Sequence, residues 1–153
     1  MIVIRYARPH EVEEIASLWE RIVKELKPDY APNVSWWIGM AKALLNTEAY
    51  HLLTAVDDCT GRIVGFLDGF LYPEPSTGKL HAVGQHFYVL PEYRKTSVSA
   101  RLYREAIRVA RAAEASVLEF FCFPEEQPFW ASKGYTATRM MMRRPGGGLC
   151  LTP

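Results

Sequence analysis

The residues best suited to chemistry lie in one stretch, Val89-Leu-Pro-Glu-Tyr-Arg94-Lys95-Thr96-Ser97-Val98-Ser99-Ala100-Arg101-Leu-Tyr103, and the chemistry is anion binding. The stretch reads as a strand end, a tight turn and a helix, with Val98, Leu102, Ala106, Val109, Ala110 and Ala113 at helical spacing. A helix N-terminus carries partial positive charge and unpaired N–H donors, so acidic side chains ordinarily gather there. Here Arg94 and Lys95 precede the helix, Arg101 and Arg104 occupy its first turns, and no acid comes before Glu105. The first helix of the chain does the reverse, with Glu11, Glu13 and Glu14 at its start and Arg21, Lys24 and Lys27 towards its end. Cations at a positive helix end cost a few tenths of a kcal/mol each unless an anion sits among them. A phosphate group held by backbone N–H donors is the simplest such anion.

The other reactive residue types form no comparable pattern. His81 and His86 lie five apart on one expected strand, which places them on opposite faces. His10 and His51 have no neighbouring ligand at useful spacing, so no metal site is expected. Cys59, Cys122 and Cys150 make an odd count with no C-x-x-C pair, the usage of free thiols in a reducing cytoplasm. Cys122 reads as a small packed residue on an apolar strand, and Met140–Met142 as strand packing.

The 153 residues suffice for one core, and a net charge of +1 offers no basic face for nucleic acid. No apolar run approaches the roughly 20 residues of a membrane span, and Arg5 and Arg8 come too early for a signal peptide. A cytoplasmic protein without membrane or nucleic-acid partners is expected.

The elements that must position the anion turn follow from periodicity. Ile2–Tyr6 is an expected strand, Pro9 suits the first position of a helix, and Val12, Ile15, Ala16, Trp19, Ile22, Val23 and Leu26 form its apolar stripe. After a proline-stopped loop, Ser35 is expected to cap a second helix running to about Leu45. Tyr50–Val56 and Ile63–Tyr72 form a hairpin, and Lys79–Leu90 is a third strand leading to the turn. Beyond the long helix come a strand Val117–Phe123, a short helical segment Pro124–Ser132 and a last strand Tyr135–Arg143. The order βααβββαβαβ implies an α/β (α+β) mixed sheet with helices on both faces, a single domain over 1–144 and a loose tail at 145–153.

This order, and Phe87-Tyr88-Val89-Leu90-Pro91-Glu92-Tyr93-Arg94, resemble the GNAT family of acyl-CoA-dependent N-acetyltransferases, whose strand approaches its pyrophosphate loop as L-Y-V-x-P-E-Y-R. Phe129-Trp130-Ala-Ser-Lys-Gly134-Tyr135 is similar to the family's late F-Y-x-K-x-G-F block, and the hairpin from Asp57 to Phe66 supports both. The resemblance covers nearly the whole chain. It implies acetyl-CoA as co-substrate, with pyrophosphate at Arg94, Lys95, Thr96, Ser97, Val98, Ser99 and Ala100. It implies pantetheine along Tyr88 and Val89, the Val89 backbone N–H on the thioester carbonyl, and Trp130 with Tyr135 beside the thiol end. The acceptor would be a small-molecule or peptide amine, in a pocket formed by Tyr30, Trp36 and Gln85. A homodimer by pairing of the last strand is permitted.

Two departures from the family pattern bear on function. The family's R-x-x-G-x-G loop here carries Ser97 and Ser99 in place of glycines, as in a phage-type subgroup, and a serine hydroxyl donates to phosphate or caps a helix. Gln85 and Trp130 stand where many members have a glutamate base and a tyrosine acid, and neither side chain can exchange a proton in that way. Tyr135, His81, His86 and Glu119 are the candidates to replace them. The alternative is a non-catalytic acyl-CoA-binding or regulatory module on the same fold.

Overall fold

Five apolar stretches become the strands β1 (Ile2–Tyr6), β2 (Tyr50–Asp57), β3 (Ile63–Pro73), β4 (Leu80–Val89) and β5 (Val117–Phe120). Four helices accompany them: α1 (Val12–Leu26), α2 (Val34–Leu44), α3 (Val98–Ala112) and α4 (Gln127–Ser132). These elements belong to a computed structural model that describes residues 1–26, 31–121 and 127–137. The chain divides into two compact units, Met1–Phe121 and Cys122–Pro153.

The first unit is built on a sheet of order β1-β2-β3-β4-β5. Neighbours are antiparallel as far as β4, while β5 joins β4 in parallel. A parallel neighbour needs a crossover connection, and α3 supplies it. The two faces of the sheet are covered by different helices, as adjacent residues of β3 show. Phe66 meets Trp37 of α2 edge-on, with ring centroids 6.4 Å apart. Gly65, pointing the other way, would place a Cβ 3.3 Å from Leu102 of α3. The expected mixed α/β fold with helices on both faces is therefore present.

Burial follows the helical stripes. Val12, Ile15, Ala16, Trp19 and Ile22 of α1 are buried, as are Val98, Leu102, Ala106, Val109 and Ala110 of α3. Trp19 stacks on Trp37 at 5.6 Å, which locks α1 to α2 over the sheet. At the entry to α1, Glu11 is only 8% exposed. Arg5 of β1 grips its carboxylate with both terminal nitrogens, at 2.5 and 2.8 Å, and the Arg8 backbone N–H adds a bond of 2.7 Å. The Arg5 guanidinium chiefly holds the Glu11 carboxyl below its ordinary range.

Three local expectations change. The cap of α2 is Asn33, whose side chain accepts from the Trp36 N–H at 3.0 Å. The Ser35 hydroxyl donates to that same Asn33 oxygen at 3.0 Å, so it supports the cap instead of forming it. The described part of β5 ends at Phe120, before the expected Phe123. The third concerns β4, where Asp68 lies opposite His86 but Gly69 lies opposite Gly84, leaving Gln85 as an extra residue in a bulge. The expected last strand shows none at 135–137, and its remainder, with the tail 145–153, lies outside the described residues. So do Cys122 and the Met140–Met142 run.

Candidate active site at the parting of two strands

Among the described residues, the last rung between β4 and β5 is the Phe121 N–H to the Gly84 carbonyl at 3.1 Å. Gly84 is needed there, because a Cβ would stand 2.3 Å from the Phe120 ring. Beyond this point β4 runs on from Gln85 to Val89 with β5 no longer beside it among the described residues. The direction of the amides along this edge follows from the pairing with β3. Leu90 donates its N–H to Val64 at 2.9 Å, so Gly65–Val89 and Leu67–Phe87 are the non-hydrogen-bonded pairs of the ladder. The amide groups of Val89 and Phe87 therefore turn away from β3, toward the side on which β5 pairs with the earlier part of β4. A strand edge of this kind can pair with an extended, amide-bearing ligand.

The edge runs directly into the anion turn. A single 3-10 turn at Pro91–Tyr93 is followed by Ser97 as N-cap of α3, and no acid lies in the first helical turn. The Ser97 hydroxyl makes no capping bond to its own helix. Thr96 accepts from the Val98 N–H at 3.3 Å and donates to the Tyr93 carbonyl at 2.7 Å, which braces the turn. Val98 is buried in the core, while Lys95, Ser97 and Ala100 are exposed and Ser99 is half-buried. The N–H groups of Ser99 and Ala100 have no acceptor inside the helix by construction.

Some of the cations also hold the protein together. Arg94 donates from Nε to the Val89 carbonyl at 2.8 Å and pairs with Glu25 of α1 at 3.1 Å. Its guanidinium lies over the Tyr88 ring, 5.1 Å from the centroid. The Tyr88 hydroxyl completes the group by donating to Glu25 at 2.9 Å, and burial followed by that carboxylate pushes the phenol pKa up. Arg101 is spent on the Ile2 carbonyl at 2.9 Å.

On the α1–α2 face, beside this edge, lies a polar cluster. Asp68 of β3 is fully buried. Its Oδ1 accepts both the His86 backbone N–H and the His86 ring Nδ1, each at 2.9 Å. Its Oδ2 accepts from the Tyr50 hydroxyl at 3.1 Å, and burial, then that carboxylate, raises the Tyr50 phenol far above its ordinary value. The Trp19 indole N–H reaches the other ring nitrogen of His86, Nε2, at 3.3 Å. A second cluster lies further along the strands, where the Tyr72 hydroxyl donates to Glu119 at 3.0 Å and His81 Nδ1 lies 3.7 Å from the same carboxylate.

The bulge corrects the sequence reading of the histidines. His81 pairs with Tyr72 and His86 with Asp68, and Tyr72 and Asp68 are four apart on β3. Paired residues share a face, so the extra residue Gln85 brings both histidines to the same face of the sheet. The sequence reading also passed over Asp68. A lone carboxylate inside the apolar run Gly65-Phe-Leu-Asp68-Gly-Phe70 was the available signal, since such a group is buried only with partners.

The model of the "Acetyltransferase (GNAT) family" matches residues 10–134 of this sequence. The chain belongs to that family.

Solved structures with the same fold include acetyltransferases of distant sequence. A ribosomal-protein-alanine N-acetyltransferase from Brucella melitensis biovar Abortus 2308 superposes with a TM-score of 0.72 at 23% identity, over 96% of this chain and 99% of that one. A Trypanosoma brucei acetyltransferase gives 0.74 at 16%, over 95% and 99%. The glucosamine-6-phosphate N-acetyltransferase of Arabidopsis thaliana gives 0.73 at 8%, over 95% and 98%. A search of curated protein sequences finds no match. Two of these neighbours act on different amines at nearly equal likeness, so the likeness carries the fold and leaves the acceptor open.

GNAT proteins generally use acetyl-CoA, and the residues present fit it. The outer β4 edge offers the Val89 amide to an extended arm, and the acid-free start of α3 offers N–H donors beside Lys95 and a Ser97 hydroxyl that makes no capping bond, for phosphate. The remaining expected residues fall as follows. Gln85 is the bulge residue and half-buried, and Trp36 stands 63% exposed on α2. Tyr30 lies outside the described residues. Trp130 and Tyr135 belong to the second unit, where Trp130 is buried in α4 and its ring stands edge-on to that of Tyr135 at 5.4 Å. Among the described residues no group of three or more His, Cys, Asp or Glu is placed to hold a metal ion, and no helix is long and apolar enough to cross a membrane.

Proposed function

We propose that this GNAT protein transfers an acetyl group from acetyl-CoA to a primary amine, by direct attack of the amine in a complex holding both substrates. The observation that carries the reading is the continuity of the outer β4 edge at Val89 with an acid-free helix start. The Val89 amide faces away from β3, and five residues on from Val89 the anion turn begins at Arg94. A backbone N–H on that edge, as at Val89, polarises the thioester carbonyl when the amine attacks. The serine form of the loop keeps the donors and adds hydroxyls, at the cost of a Cβ on each.

Thermal melting with acetyl-CoA, CoA, ATP and pyrophosphate tests the binding half. A ligand at about 100 times its Kd adds roughly 2.7 kcal/mol, which is several degrees for a chain of this size. Both CoA forms should raise the melting temperature and ATP should do little. Ser97→Asp puts a carboxylate against the phosphates and should abolish the acetyl-CoA shift. An undiminished shift in that variant would show that the loop assignment is wrong.

A second reading, an acyl-CoA-binding module without turnover, is favoured by the neutral amide of Gln85 at the bulge. Thiol release from acetyl-CoA with spermidine, kanamycin and a peptide with N-terminal alanine separates the two. Turnover with any of them above background hydrolysis removes the silent reading.

A further inference from the structure

The geometry points to His86 as the base that takes the proton of the acceptor amine, with Asp68 as the residue that positions its ring. This rests on the acetyl-transfer reading and names the proton acceptor that the sequence alone left open among four residues. The hydrogen bonds fix the tautomer without any reference to a ligand. An indole N–H can only donate, so His86 Nε2 must be the accepting nitrogen in its contact with Trp19 at 3.3 Å. An ionised carboxylate can only accept, so Nδ1 carries the proton in the 2.9 Å bond to Asp68. The neutral ring is thus held with a basic lone pair on Nε2. Asp68 is completely buried, and among the described residues no salt bridge joins it to a guanidinium or ammonium, whereas 29% of the His86 side chain is exposed. When Nε2 takes up a proton, the carboxylate stabilises the imidazolium that results.

Place separates His86 from its rivals. Glu119 and His81 lie level with the closed part of the β4–β5 pair, opposite Val83 and Val117, and Glu119 is already bonded by Tyr72. Chemistry separates His86 from Tyr135, whose phenol must first lose its own proton before it can take another. His86 follows the bulge residue Gln85, just past the last described β4–β5 rung at Gly84, so it stands where the described strands part. The Trp19 bond at 3.3 Å is long, and a charged ammonium is the stronger donor to the same nitrogen.

The step balances as follows. The ammonium R–NH3⁺ gives one proton to Nε2 and becomes R–NH2. Its lone pair forms the N–C bond to the thioester carbonyl, whose π pair moves to oxygen. That pair returns as the C–S bond breaks with its electrons on sulfur. The nitrogen, now carrying one proton too many, gives it to the thiolate, and His86 returns its own proton to solvent.

Two measurements test this. In ¹⁵N-labelled full-length protein, long-range ¹H–¹⁵N correlation reads the tautomer of each of the four histidines, and His86→Asn identifies the His86 signals by their loss. The expected form is Nδ1–H with a bare Nε2. An Nε2–H form would overturn the proposal. Kinetics then use acetyl-CoA with whichever of spermidine, kanamycin or the alanine peptide the wild type accepts. His86→Asn keeps an N–H for Asp68 but has no atom at Nε2. It should lower kcat by 10²–10⁴-fold, leave the acetyl-CoA melting shift intact, and remove the acid limb of the kcat/KM profile.

Asp68→Asn keeps an oxygen for His86 but removes the charge, so the acid limb should move to lower pH. The groups that face His86 are Asp68 from β3 and Trp19 from α1, with Tyr50 of β2 behind Asp68. Tyr88, two residues along β4, interacts with Glu25, Arg94 and Arg21, and the two variants leave these groups in place. An unchanged kcat in His86→Asn, or an unmoved acid limb in Asp68→Asn, would overturn the assignment. Absence of wild-type turnover with all three amines would instead overturn the acetyl-transfer reading, and the role of His86 with it.

Discussion

Glu11 and Asp68 are the carboxylates buried among the described residues, 8% and 0% exposed, and they are neutralised by different kinds of partner. Glu11 sits in the grip of Arg5, a cation at every pH the protein meets. Asp68 is held by a phenol, a backbone N–H and an imidazole N–H, none of which carries charge in the neutral state. The first arrangement is closed and needs nothing further. The second has a neutral imidazole N–H where the first has a cation. A buried carboxylate with a permanent counter-ion builds structure, and one bonded to an imidazole N–H holds that ring in a single tautomer.

The largest effect that could break this contrast comes from removing the permanent cation. Arg5→Met leaves Glu11 buried and unpaired, which should cost about 3–5 kcal/mol and lower the melting temperature by roughly 10 °C. A loss below about 1 kcal/mol would mean that Glu11 does not depend on Arg5. Next in size is Glu11→Gln, expected to cost about 2 kcal/mol at neutral pH by losing a charged hydrogen-bond acceptor.

The sign of its pH dependence follows from the depressed carboxyl pKa of Glu11. The stabilisation is fully present above the ordinary carboxylate value of 4.5 and is lost as pH falls through the lower folded value. The wild type and Glu11→Gln should therefore converge in urea midpoint at acid pH, and a constant gap would refute the mechanism. Smallest is Asp68→Asn, which should cost less than about 1 kcal/mol in stability. Its oxygen still serves His86, and its amide can donate to Tyr50 with the hydroxyl reversed. A stability loss as large as that of Glu11→Gln would erase the distinction between the two carboxylates.

What was legible in the sequence was whatever repeats along the chain. The stripes of α1 and α3, the hairpin at Asp57–Ile63 and the cation-rich start of α3 depend on residues near one another in sequence, and each appears in the structure. The bulge at Gln85 was not legible, because it exists only in the register of β4 against β3, where Gly69 and Gly84 meet. With it went the face of His86, and with that face the link to Asp68 eighteen residues away. The Ser35 cap failed on a smaller scale, since the helix begins one residue before Ser35, at Val34, and Asn33 caps it through the Trp36 N–H while Ser35 donates to the Asn33 oxygen. The second tie on the turn, from Arg94 to Glu25, joins residues 69 positions apart and left no local trace.

That same arginine has a mechanical consequence. By bonding the Val89 carbonyl from the first residue of the anion turn, Arg94 fastens the phosphate end of the proposed cleft to its acyl end. The two ends then move as one body, and the cleft acts as a gauge of length. A ligand whose charge and carbonyl are set closer together, or further apart, can satisfy only one of them. Selection for the intact carrier over its fragments would then reside in five residues of backbone and one guanidinium, rather than in any side chain that touches the acyl group.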